Sequence, residues 1–238
     1  FISTHNPYFL LSILEKIKAN YEGFSQGVKT LIKEQHQIFG IDKVVADIIH
    51  PPKEYSYALE SVLGNSLQYI ISDSLNTAQQ AIEYLSNNKI GKATLIAQDH
   101  FTRFEAHIDY TSLLQEPGVI GAAWDLISAD TKYGSIIKYL LKDVILVENL
   151  AIAFNLLEKY SDSQLQFVTP QGEILQSNGI LTGGHTNGDQ FNLLGREDEI
   201  KRLQEEIADL NDKHQNLKNQ LNQKNSLLEE LSQKLKNY

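Results

Sequence analysis

Apolar residues recur along this 238-residue chain in three rhythms, and each rhythm predicts a different kind of element. Near the start, Leu10, Leu14, Ile17 and Tyr21 are spaced by four, three and four behind an Asn6-Pro7 pair suited to a helix cap and first turn. A first helix is therefore predicted to run to about Glu22 and stop near Gly23. Val28, Leu31, Ile32 and Gln35 form one face of a second helix, over 28–39, closed by Gly40. The rhythm then shortens into strand-like runs alternating with helical ones. Residues 44–49 read as a strand ended by Pro51 and Pro52, 54–63 as a helix closed by Gly64, and 67–72 as a strand. Residues 74–86 read as a helix capped by Ser74, and 93–97 as a strand. Residues 99–117 are polar and irregular and read as a connection. After it the order returns: helix 135–141, strand 144–147, helix 150–159, strand 166–169. Leu75 with Ala78 and Leu150 with Ala153 hold the same places, 75 residues apart. The prediction is a mixed α+β fold of two related lobes, with small sheets and flanking helices.

The stretch GEILQSNGILTGG at 172–184 follows Thr169-Pro170-Gln171-Gly172, a tetrad suited to a type I turn. It offers two short strands, 173–176 and 180–182, punctuated by Gly172, Gly179, Gly183 and Gly184. A glycine permits positive φ or the close approach of another backbone, so the segment is either a pair of tight turns within one chain or a contact with a second chain. Its place after the second lobe's last strand predicts that it extends that sheet, at the edge.

The third rhythm is a heptad. Ile200, Leu203, Ile207, Leu210, His214, Leu217, Leu221, Lys224, Leu228, Leu231 and Leu235 alternate spacings of three and four, and nine of the eleven are apolar. This narrow stripe is a coiled-coil seam, roughly 54 Å long at about 1.5 Å per residue. It requires a partner helix, and the short stripe from Leu10 to Tyr21 is the other one in the chain, so the two ends are expected to pair antiparallel. The resulting division is a coiled-coil stub at 1–22, lobe 1 at 23–110, lobe 2 at 111–195, and a second stub at 196–238.

Composition narrows the chemistry. Thirty acidic against 21 basic residues give a net charge of −9, which opposes any protein-wide attraction to nucleic acid or an anionic membrane. The segment from Ile200 carries seven basic and six acidic residues, leaving −10 on residues 1–199. Lys29, Lys33, Arg196, Lys201 and Arg202 nevertheless gather in sequence near the predicted coil roots and are candidates for a small patch against DNA backbone. With no cysteine, disulfides, thiol catalysis and cysteine-ligated zinc are excluded. No apolar run is long enough to span a membrane, and a cytoplasmic location is expected. The chain contains no methionine, so it is expected to be processed or cut from a longer protein. No phosphate-binding GxxxxGK[ST], GxGxxG or GxSxG string occurs. Asp99, His100, Glu105, His107 and Asp109 are the most suggestive cluster of potential metal ligands, and a metal-dependent α/β enzyme using the His100 and His107 loop is the alternative reading. A polar connecting loop is the plainer one.

Taken together, YEGFSQGVKTLI at 21–32, ALESVLGNSLQYIISDSLNTAQQAIEYL at 58–85, GKATLIAQD at 91–99 and GEILQSNGILTGG at 172–184 resemble the hinge of structural-maintenance-of-chromosomes (SMC) proteins of the bacterial type. The resemblance implies a two-lobed dimerisation domain whose first lobe joins its sheet to the second lobe of another copy, with flanking coiled-coil arms. It implies a dimer contact at Gly179, Ile180, Leu181, Thr182, Gly183 and Gly184, with the family's interface glycines falling on Gly179, Gly183 and Gly184. A second hinge is the implied partner, with DNA contacted weakly at the hinge-coil root, no cofactor and no catalysis in this segment. The family's ATPase heads, with their kleisin-type and accessory subunits, would lie elsewhere, on a nucleoid-associated protein. Asn178 stands where many members have the first of paired glycines, and Pro7 marks a helix start where the family's arm would continue.

Overall fold

The computed structural model describes residues 6–34, 38–101, 110–160, 164–184 and 193–236, and divides into two compact units. One comprises residues 20–197. The other joins the N-terminal helix to the C-terminal helix from Asp198 onward.

In the larger unit, helix α2 (Gln26–Lys33) precedes strand β1 (Ile41–Val44), a 3-10 turn, helix α3 (Ser56–Leu63), strand β2 (Ile70–Ser72), helix α4 (Leu75–Asn88) and strand β3 (Leu95–Ala97). A short helix α5 (Gln98–Phe101) follows. The order then recurs as strand β4 (Val119–Ala122), 3-10 turns, helix α6 (Gly134–Leu141), strand β5 (Val144–Val147), helix α7 (Leu150–Lys159) and strand β6 (Gln166–Val168). Strands β7 (Ile174–Gln176) and β8 (Leu181–Thr182) complete the unit before helix α8 (Gly195–Lys236) begins. The first sheet is ordered β1-β2-β3 and the second β4-β5-β6-β7-β8.

The repetition extends to register. β1 is antiparallel to β2 through Ile41↔Ser72 and Val44↔Ile70, and β4 to β5 through Val119↔Val147 and Ala122↔Ile145, each with an irregularity between the two pairs. β2 and β3, like β5 and β6, are parallel and joined by a helix. Ser74 caps α4 by accepting from Thr77 N, and Asn149 caps α7 by accepting from Ile152 N. An isolated antiparallel bridge between His50 and Ser128 joins equivalent positions of the two copies.

Apolar layering explains why the second copy's central strand is a plain VILV run. Val144 and Leu146 face the core shared with Leu59, Leu63, Ile136 and Leu141 of α3 and α6, while Ile145 and Val147 face α7. A strand covered on both sides gains from apolar residues at every position. In the first copy, Ile71 enters the shared core, and Ile70 packs with Leu31, Ala81 and Leu85 beneath α2 and α4.

Several expectations shift in detail. The first helix, α1 (Pro7–Ala19), is capped by Asn6 as expected, with Tyr8 N donating to Asn6 Oδ1 at 3.0 Å, but it ends three residues early. Tyr21 takes a left-handed φ of 50° and its ring packs edge-on against Phe24, so it serves the larger unit's core and not the coil seam. α2 stops at Lys33, well short of residue 39, and Phe39 is 92% exposed. The strand expected over 44–49 lies at Ile41–Val44, because an apolar run alone cannot separate a strand from the 3-10 turn that Val45 begins. β4 was not expected at all.

Between the lobes, Asp42 of β1 accepts from Lys132 Nζ at 2.5 Å and from the hydroxyl of buried Tyr133 at 2.8 Å. Burial alone would raise the Asp42 carboxyl, but these hydrogen bonds outweigh it and hold the group below its ordinary value. A depressed carboxyl stabilises the fold above the ordinary value of 3.8 and loses that contribution as pH falls through the folded one. Asp42→Ala is expected to cost about 1–3 kcal/mol at pH 7, mainly because the Tyr133 hydroxyl loses its acceptor, and less at pH 3. Urea unfolding at both pH values measures the difference. The half-exposed Lys132 contributes little to it.

In the smaller unit, Leu10, Leu11 and Leu14 of α1 pack on Ile200 and Leu203 of α8. Tyr8 donates its hydroxyl to Asn211 Oδ1 at 2.7 Å. The expected antiparallel pairing therefore forms over this length. Beyond it Leu217, Leu221, Leu228 and Leu235 stand 58–78% exposed. No helix among the described residues is long and apolar enough to cross a membrane.

Candidate functional site

The glycine-punctuated stretch folds as a hairpin. The turn after β6 closes with Gly172 N donating to Thr169 O at 2.8 Å, as the tetrad predicts. β7 and β8 then pair antiparallel through Ile174↔Thr182 and Leu175↔Leu181. Their link is set by Gln176 N donating to Ile180 O, Gly179 N to Gln176 O, and Ile180 N to Asn178 Oδ1. Gly179, at φ 85°, supplies the left-handed residue this tight connection needs.

β8 is the last strand of its sheet, and every residue from Asn178 to Gly184 is exposed. Ile180 and Leu181 are 52% and 50% exposed. Antiparallel pairs alternate between hydrogen-bonded and non-hydrogen-bonded positions. With Gln176 and Ile180 bonded, Thr182 also faces β7, so the backbone groups of Leu181 and Gly183 point away from the sheet.

The glycines of this stretch differ in what they do. Gly172 combines a φ of 78° with close packing, since a Cβ there would lie 2.6 Å from Tyr57 Cε1 and from Ser61 Oγ of α3. Gly183 has neither constraint: its φ lies outside the left-handed region, and the nearest described atoms to a Cβ there belong to Glu173, at 3.4 Å and beyond. Gly184 has a φ of 123° and nothing among the described residues within 4 Å. Nothing among the described residues requires Gly183 to lack a side chain.

The other glycine motifs act within lobe 1. A Cβ on Gly27 would lie 2.5 Å from Lys92 O, and Ser25 Oγ donates to the same carbonyl at 3.2 Å. The Gly-Val-Lys and Gly-Lys-Ala-Thr strings are thus the two sides of one close approach, which seats α2 on the chain entering β3.

The candidate DNA contacts fall into different settings. Lys33 and Lys201 are exposed and Lys29 is partly so. Arg202 is held by Glu199 at 2.6 Å and Glu206 at 2.9 Å, which raise its pKa. Arg196 is only 8% exposed, and its Nε has no hydrogen-bond partner among the described residues. Burial lowers its pKa against the opposing effect of Glu60 and Glu22. Sequence reasoning saw the charge of Arg196 but missed its burial. It also missed Glu60 of α3, which accepts from Leu193 N at 3.0 Å and Leu194 N at 3.2 Å.

Of the candidate metal ligands, Asp99 and His100 lie on α5, while Glu105, His107 and Asp109 lie outside the described residues. Among the described residues no three His, Asp or Glu side chains come together as a metal site.

Comparison with known proteins agrees with this architecture and gives the metal-enzyme alternative no support. The chain is 30% identical over 202 residues to the chromosome partition protein Smc of Bacillus subtilis, covering 84% of this chain and 17% of that protein. It is 34% identical over 145 residues to the Smc protein of Methanocaldococcus jannaschii, covering 61% of this chain and 12% of that one. The chain therefore spans less than a fifth of these relatives. The crystallised asymmetric dimer of the Geobacillus stearothermophilus SMC hinge domain superposes with a TM-score of 0.76 at 29% identity, covering 87% of this chain and 83% of that one. The Pyrococcus furiosus Smc hinge domain with an extended coiled coil shares the fold, with a TM-score of 0.57 at 23% identity over 94% of this chain and 82% of that one. The flexible hinge domain of SMC proteins matches residues 38–157, just over half the sequence, and the chain belongs to that family.

Proposed function

We propose that this chain dimerises through β8 and joins two coiled-coil arms of a chromosome-partition protein at their shared apex. The observation that carries the reading is Gly183: it directly follows the exposed edge strand β8 at an outward-facing register position, without a side chain and with no reason among the described residues to lack one. An exposed edge is a template for another strand, and a residue without Cβ lets the two backbones close up. The contact comprises Gly179, Ile180, Leu181, Thr182, Gly183 and Gly184, received by an outer strand of lobe 1 in the other copy. That the similar Geobacillus stearothermophilus hinge domain crystallised as a dimer supports dimerisation itself. On this reading residues 23–110 and 111–195 are the lobes, flanked by stubs at 1–22 and 196–238.

The segment itself performs no catalysis and acts at the chromosome as part of a nucleoid-associated protein, whose heads and their kleisin-type partners belong to other segments. DNA contact is secondary. Lys29, Lys33 and Lys201 supply it, weakly and in a salt-sensitive way, against the −10 charge of residues 1–199.

Sedimentation equilibrium of the isolated chain tests the main reading. The expected mass is twice the 26.9 kDa of the chain. A mass that remains that of one chain at all concentrations would overturn it.

A further inference from the structure

The segment 193–197, where α8 begins, is bound to lobe 1 by a device that neither dimerisation nor coiled-coil pairing calls for. Leu193 and Leu194 each donate a backbone N–H to a different carboxylate oxygen of Glu60. These amides lie just ahead of the first turn of α8, where backbone donors have no intrahelical acceptor. The Leu194 side chain is 4% exposed in the shared core, and Leu193 packs both there and on the cluster beneath α2. Leu193 also approaches Gly23, next to Glu22. Two residues on, Arg196 is buried, with Glu60 and Glu22 as the acidic groups whose charge it feels.

We propose that Glu60 is a positioning residue that clamps the root of α8 to lobe 1 by binding two consecutive backbone amides. Any movement of residues 193–197 off lobe 1 must first break two charge-assisted hydrogen bonds and expose Leu194. Burial raises the Glu60 carboxyl, opposed by the two amides and then by Arg196. The carboxylate is therefore tied down geometrically while its charge sits in an unfavourable medium, which makes the clamp dependent on its partners.

Amide hydrogen exchange at single residues tests the clamp. In Glu60→Ala, exchange at Leu193 and Leu194 is expected to accelerate at least about ten-fold, the scale of losing a hydrogen bond to a charged acceptor, with the β2 amides of Ile70 and Ile71 unchanged. Glu60→Gln preserves the side chain's shape but offers one acceptor oxygen in place of two, so one of the two amides should keep its protection while the other loses it. Unchanged exchange at 193 and 194 in both Glu60 variants overturns the clamp, as does acceleration spread equally through β2, which would make Glu60 a general support of the core. None of these readings requires a second copy, so failure of the clamp is separable from failure of the dimer.

Discussion

Replacing Gly183 with valine should yield a folded monomer. The substitution adds an isopropyl group at an outward-facing backbone position, where a paired strand would lie at about 4.8 Å and its approach would be obstructed. Among the described residues the same change is tolerated: φ at residue 183 lies outside the left-handed region, and the nearest atom to a new Cβ is Glu173 Cγ at 3.4 Å. Light scattering is therefore expected to show the mass halved, with the circular dichroism spectrum and thermal midpoint preserved. Gly183 alone makes a cleaner test than Gly183 and Gly184 together, because Gly184 has a φ of 123° and any side chain there adds backbone strain of its own. A valine variant that remains dimeric removes Gly183 from the contact.

Gly172→Val should do the reverse. A β-branched residue forced to φ 78° is strained, and its Cβ would meet Tyr57 Cε1 and Ser61 Oγ at 2.6 Å. Strain and overpacking together are expected to cost about 2–4 kcal/mol, lowering the thermal midpoint by roughly 5–15 °C. The association state of the molecules still folded should be unchanged, since the damage lies between the β6–β7 turn and α3. Two glycines eleven positions apart in one motif thus separate by measurement into one that serves the lobe interface and one that serves a second chain. A Gly172→Val variant with an unchanged midpoint would show that the turn can move away from α3 without cost.

How much of this was readable beforehand follows from where the information lies. β5 and α7 begin and end where the sequence places them, because an uninterrupted apolar run is bounded by Asp143 and by a capping Asn149 within a few residues. The hairpin was readable for the same reason, its glycines and Asn178 being local signals with local consequences. β4 was not, since Val119–Ala122 is four residues long with a glycine inside, and only pairing with β5 makes it a strand. Tyr21 continued the helical rhythm of Leu10, Leu14 and Ile17, yet the ring that fits Phe24 decided its place. The association of Glu60 with Leu193 and Leu194 spans more than 130 residues, and no spacing rule reaches that far. Arg196 shows the same limit from the other side: a formal charge is legible in a string of letters, and its solvation is not.

The two copies of the β-α-β plan keep every strand register while their connections differ in length. Ile70 and Ile145 hold equivalent places 75 residues apart, whereas Leu95 and Phe167, their partners in the parallel ladders, are 72 apart. A slip of one residue in a strand would turn each of its side chains to the opposite face, so pairing tolerates no such drift. Chain length is absorbed instead between α3 and β2 and between α4 and β3, where the second copy is three residues shorter each time. For anyone rebuilding this module, the internal comparison is a map of tolerance: residues 64–69 and the span from α4 to β3 are where the chain can be shortened, as its own second half already demonstrates.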